Sequence, residues 1–197
     1  MFVTVEGWSD YLQDIKRYRQ HRKGESIFAI WFTEQGLWAL LQYRIASTCY
    51  RSNLPWRIKR PLLILMVAWQ KLIEITTGIS LPYKASIGPG LYIGHYGNII
   101  LSNKAVIGHN CNLSQGVTIG ISGRLPNKGV PVIGNRVYIG VNAVVVGKIL
   151  VGDDVVIAAN SLVTTDVPGH TTVLGVPAKV INNKGSDEYL DPTDILT

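Results

Sequence analysis

LPYKASIGPGLYIGHYGNII, residues 81–100, places Leu81, Ile87, Ile93 and Ile99 six positions apart, with Gly88 and Gly94 directly after two of them. The step continues down the chain through Ile107, Leu113 and Ile119, then Ile133, Ile139, Val145, Val151, Ile157 and Val163, and glycine again follows the anchor at Gly108, Gly120, Gly134, Gly140 and Gly152. A second small or apolar residue often sits four places after the anchor, as at Ala85, Leu91, Cys111, Val117, Val137, Ala143, Ile149, Val155 and Ser161. A helix repeats its apolar face at three- and four-residue steps and a strand at two. A six-residue step fits neither. It predicts a solenoid of short flat faces whose branched anchors stack inside a narrow prism.

The register slips twice. Two extra residues fall between Ile99 and Ile107, and eight between Ile119 and Ile133, where residues 121–132 read ISGRLPNKGVPV. An insertion in a solenoid leaves the coil as a loop, commonly on the binding face.

The first eighty residues follow a helical pattern. An amphipathic helix is expected near residues 8–22. In a second, over 33–50, Leu37, Leu40, Leu41, Ile45 and Cys49 line one face and Thr33 is the candidate N-cap. Asn53 and Pro55 break the pattern, and a third helix is expected from Pro61 to about Thr77, ended by Gly78. The expected organisation is a helical region over 1–80, a repeat domain over 81–181 with a protruding loop at 121–132, and a tail over 182–197.

With 47% hydrophobic and 16% charged residues the chain is not disordered. Its net charge of +6 suits a phosphate-bearing ligand or an anionic surface, but no basic motif interleaved with stacking aromatics points to nucleic acid. Cys49 and Cys111 make no disulfide framework and no metal pattern. Cys111 reads as a core filler on the small position of its repeat, and Ser114 as structural. No basic, apolar leader precedes residue 10, and the apolar run 61–69 falls short of the roughly 20 residues a bilayer requires. A cytoplasmic protein is the expectation. The basic stretch 51–60 followed by that run leaves two readings, packing between subunits, which is preferred, or contact with the inner membrane face.

With IGHYGNIIL, NLSQGVTIG and LGVPAKVI in this order, residues 81–181 resemble the serine acetyltransferase-like branch of the hexapeptide-repeat acyltransferases. TEQGLWALLQYRIA and TGISLP extend the likeness upstream, especially toward members assigned to cell-surface polysaccharide synthesis. The resemblance implies a left-handed parallel β-helix, homotrimers with active sites between subunits, acetyl-CoA as co-substrate, no metal, and an O-acetyltransferase.

Acetyl transfer to a hydroxyl needs a base for the hydroxyl proton and then an acid for the departing thiolate. One imidazole, titrating near neutrality, serves both steps. His95, following Ile93 and Gly94, points outward from the coil and by resemblance is the catalytic histidine. His109 occupies a similar place one coil on, either lining the same cleft or sitting on a solvated corner. His21, among Lys16, Arg17, Arg19, Arg22 and Lys23, reads as part of a solvated helix face, and His170 as a turn residue. By resemblance the CoA contacts fall at Gly120, Gly140, Ala159, Thr172 and Lys179.

Three departures bear on the acceptor. Where serine acetyltransferases carry an Asp that orients the histidine, this chain has Ser80. Where they place an Asp before the histidine, it has Gly94. Where they have an Arg-His pair before a Pro, it has Gly129 and Val130 before Pro131. A zwitterionic amino acid needs fixed charges of both signs. A sugar needs only hydrogen bonds and stacking, from Tyr92, Tyr96, Asn98 and Arg124. The expected acceptor is therefore a hydroxyl of a cell-surface glycan or its precursor. The alternatives are serine, whose enzymes would dock a partner through a terminal isoleucine where this chain ends DPTDILT, and a non-catalytic β-helix scaffold. A carbonic-anhydrase-like zinc site on this fold needs three histidines, and His95 and His109 alone do not supply it.

Overall fold

The computed structural model describes residues 6–124 and 128–190. Four helices, α1 (Glu6–His21), α2 (Ile27–Thr33), α3 (Gln35–Arg51) and α4 (Trp56–Thr77), precede fifteen short strands. Fourteen strands stack as parallel coils into three sheets, the three faces of a prism, and the last, Ala178–Asn182, runs antiparallel to its neighbour. The six-residue anchors fill the prism: Ile87, Ile93, Leu113, Ile119, Ile133, Ile139, Val145, Val151, Ile157 and Val163 are all buried. Cys111 is buried among them, and loss of hydration pushes its thiol up to about 12.

Pairing registers show where the insertions go. Val132, Tyr138 and Val144 pair with Leu150, Val156 and Leu162, an 18-residue coil of three six-residue sides. The coil before it takes 26 residues, Val106 to Val132, so the eight extra residues form the loop. Tyr92 pairs with Asn112 at a 20-residue step, whereas Leu101 pairs with Ile119 at 18. The two extra residues therefore precede Leu101, lying in the turn 94–98 rather than between Ile99 and Ile107 as the sequence suggested. Ile99 and Leu101 both face inward, and this is why the sequence placed the slip too late.

The helices differ from expectation at their ends. Ser26 caps an unforeseen helix, accepting a hydrogen bond from the Ala29 amide through its hydroxyl. Thr33 ends that helix instead of capping the next, its hydroxyl donating to the carbonyls of Ala29 and Ile30. Helix α4 begins at Trp56, before Pro61, and closes at Gly78 in the left-handed region as predicted.

The helices share an apolar core with the prism, through residues such as Leu37, Leu40 and Ile73, and add to it a set of polar contacts. The first coil has no preceding coil to pair with, and its free edge is met by side chains. Tyr18 hydroxyl donates to the Ile93 carbonyl at 2.9 Å and accepts from its amide at 3.0 Å. Tyr43 does the same between Ala85 and Ile87, at 2.9 and 3.0 Å. Arg44 donates to the Ile87 and Gly88 carbonyls, and Asp14 accepts from the Gly90 and Leu91 amides. Arg44 and Asp14 also pair with each other in the interior. Edge groups that would be left orphaned are thus satisfied without another strand. Arg17 is buried, donating to the Gly90 and Cys111 carbonyls, and His21 stacks on Tyr92, so this face of α1 is packed rather than solvated.

Helix α4 leaves Ile58, Leu65, Leu72 and Ile75 exposed. Among the described residues no helix is long and apolar enough to cross a membrane. The terminal DPTDILT, with Ile195, lies outside the described residues.

Candidate active site

On three coils the corner after the inward anchor takes six residues to reach the next anchor, as from Leu113 to Ile119 or Ile139 to Val145. On the first coil, Ile93 to Leu101 takes eight. Gly97 at φ 107° and Asn98 at φ 52° accommodate the bulge in the left-handed region. His95 and Tyr96 ride out on it and are exposed.

This corner opens onto a cavity of about 490 Å³ lined by coil residues Tyr92, Gly94, His95, Tyr96, Asn112, Leu113, Ser114 and Tyr138, and by helical residues Arg22, Thr33, Glu34 and Gln35. The predicted residues His95, Tyr92 and Tyr96 are thus brought together. Burial raises the Tyr92 phenol above its ordinary value, with smaller effects from nearby charges.

Asn98 and Arg124 do not line the cavity. Asn98 serves the turn, where asparagine tolerates positive φ, and Arg124 is exposed on the inserted loop. His109 lies on a different corner, where its amide donates to Asn135, and His170 is a turn residue at φ 58°. Ser114, read as structural, lines the cavity while its amide carries the ladder to Ile139.

Of the predicted CoA positions, Gly140 and Ala159 occupy the His95 corner on successive lower coils, where Asn142 bonds to the Gln115 carbonyl and Asn160 to that of Val141. A Cβ on Gly140 would stand 2.7 Å from the Ala159 amide nitrogen, so only glycine allows this approach. Gly120 ends the strand from which the loop departs, and Lys179 is exposed on the antiparallel strand. Thr172 is different: it is buried, and its hydroxyl donates to the Lys184 carbonyl, helping to fix the chain's return.

Ser80 does not orient the imidazole. Its hydroxyl donates to Glu74 at 2.7 Å. The carboxylate that the cavity does contain is Glu34, which the sequence reading missed. It is the residue between α2 and α3, its side chain is only 12% exposed, and it accepts from Arg22 at 2.6 Å. Arg22 also grips Glu25 through two nitrogens, at 2.6 and 2.7 Å, which holds the Glu25 carboxyl below the usual range. Arg22 looked like one more charge on a solvated helix. The break between α2 and α3 sits at Glu34, and the nearby glycine, Gly36, already lies inside the first turn of α3.

Residues 131–165 match the family model described as bacterial transferase hexapeptide (six repeats). A serine acetyltransferase of Helicobacter pylori (strain J99) is 38% identical over 146 residues, covering 74% of this chain and 81% of the relative. One of Synechococcus elongatus is 33% identical over 159 residues, covering 81% of this chain but only 61% of that relative. A solved serine acetyltransferase in complex with CoA superposes with a TM-score of 0.74 at 27% identity, over 90% of this chain and 71% of that one. Extended identity and a shared left-handed β-helix together place this chain in the serine acetyltransferase family of hexapeptide-repeat transferases.

Proposed function

We propose that the chain transfers acetyl from acetyl-CoA to the hydroxyl of serine. The observation that carries this reading is the cavity at the lengthened corner, where an outward imidazole shares one space with fixed charges of both signs, in a chain whose relatives are serine acetyltransferases.

In this mechanism the serine hydroxyl enters the cavity beside His95. As its oxygen attacks the thioester carbonyl carbon, His95 takes the hydroxyl proton. The tetrahedral intermediate collapses with cleavage of the carbon–sulfur bond, and His95 returns the proton to the CoA thiolate. The products are O-acetylserine and free CoA. The CoA arm follows the small-residue corner past Gly140 and Ala159, with Lys179 offering a point charge to a phosphate. A homotrimer, with a second copy walling the cleft, belongs to the same reading.

The glycan acceptor expected from the sequence gains no support from the comparisons, and the structure removes part of its physical basis. That argument rested on missing charges at Gly94, Gly129 and Val130. Arg22 and Glu34 bring charges of both signs to the cavity from the helices. The test is release of free thiol from acetyl-CoA in the presence of serine or of sugars. Turnover with serine supports the proposal, and turnover with sugars alone overturns it.

A further inference from the structure

The outward row of one sheet runs Tyr92, Asn112, Tyr138, Val156 and Thr172, each in register with the next. It is covered at both ends. At the upper end His21 of α1 stacks on Tyr92, 4.1 Å between ring centres. At the lower end the cover is the tail. The Thr172 hydroxyl donates to the Lys184 carbonyl, the Ser186 amide donates to the Asp154 carbonyl, and the Ser186 hydroxyl donates to the Arg136 carbonyl. These bonds tie the segment across three successive coils. Val156, an outward residue between them, is accordingly only 1% exposed, and Ser186 and Leu190 are themselves buried.

Tyr189 stands beside those two anchors. It is half exposed, so burying its own ring is not what places it. Its ring lies 4.8 Å from that of Tyr138, tilted by 37°. Tyr138 in turn lines the His95 cavity. A ring of the cavity wall is thus backed by a residue that the tail delivers.

We propose that Tyr189 is a positioning residue for acetyl-CoA, holding the Tyr138 ring ready for the thioester end of that molecule. The proposal rests on the acetyl-CoA part of the reading above and is independent of the acceptor. Tyr138 lies two residues before Gly140, on the coil whose corner the CoA arm follows into the cavity. An outward side chain on a strand has more than one open rotamer, and a second ring packed beside it limits the choice. A wall ordered before the ligand arrives spares binding the cost of ordering it. Tyr189 itself touches no reacting atom.

The experiment measures acetyl-CoA binding to the full chain by isothermal titration calorimetry, with transfer kinetics and the thermal midpoint alongside. Tyr189→Ala is expected to raise Kd, and KM for acetyl-CoA, about 2- to 10-fold, the size of ordering one side chain on binding. The kcat and the thermal midpoint should stay near wild type, because Ser186 and Leu190 still anchor the segment. Tyr189→Phe keeps the ring and should bind as wild type does. In a Tyr138→Ala background, Tyr189→Ala should have no further effect. An unchanged Kd, whatever the thermal midpoint does, or losses that add across the two positions, overturns the proposal and leaves acetyl-CoA binding standing. Wild-type protein that binds no acetyl-CoA overturns that reading and the proposal together.

Discussion

The prism and the seam that joins it to the helical cap are built differently. In the prism the inward residues of successive coils stack on one another despite the insertions, so the pattern is shared among many equivalent positions. The cap shares that apolar core but adds a handful of polar side chains, each meeting a particular backbone group of the first coil. Stacking is redundant and tolerant, whereas the seam is specific and brittle. The candidate-site cavity straddles that seam, drawing His95 and Asn112 from the tolerant half and Arg22 and Glu34 from the brittle one.

The sharpest way to probe this division is through His95. Replacing it with alanine removes the proposed base while touching neither the prism nor the seam. Acetyl transfer should fall about 100- to 10,000-fold, with the thermal midpoint unchanged. Substantial residual turnover would mean that the cavity works without the imidazole.

A strong blow to the seam comes from Asp14→Ala. It removes the closer carboxylate partner of buried Arg44, leaving Asp10 at 3.6 Å, and orphans two amides, and should cost about 3–5 kcal/mol of stability. Chemical denaturation reads this directly. A loss below 1 kcal/mol would show that the seam is as tolerant as the prism. Tyr18→Phe is gentler. Without the hydroxyl the Ile93 amide and carbonyl lose their partner, at about 1–3 kcal/mol, and because Ile93 leads into the His95 turn, activity should fall along with stability.

The smallest effect concerns Cys111. Burial raises its thiol to about 12, so at pH 8, well below that value, the group stays protonated as well as sheltered. Alkylation of native protein at pH 8 should label the half-buried Cys49 and spare Cys111, with Cys111 reacting only after denaturation. Rapid labelling of Cys111 in folded protein would show that the coils open readily.

The same division explains what could be read in advance. The solenoid was legible because its physics is local and periodic: Leu113, Ile119 and Ile139 declare their inward direction through spacing alone. His95 was legible through its place beside Ile93 and the resemblance of its motif. The lengthened corner was visible as two surplus residues but was misplaced, since Ile99 and Leu101 both satisfy the inward pattern. Glu34 and Arg22 were illegible, because their meeting depends on how a separate helical layer lands on the coils. Asn112 was hidden for a subtler reason: it occupies the outward half of a two-residue strand, a position that spacing leaves unconstrained. Nothing in the sequence signalled that the Thr172 hydroxyl would donate to the Lys184 carbonyl, because that stretch belongs to the chain's return.

The way the first coil is finished bears on how copies of this chain can meet. Parallel solenoids that end in bare strands invite another molecule to continue the ladder, and growth then has no natural stop. Here Tyr18, Tyr43, Arg44 and Asp14 already occupy the edge groups of that first turn, so an incoming strand finds few backbone partners to bond. Strand addition at this end is therefore disfavoured, which leaves growth of a continuous ladder without its usual starting edge.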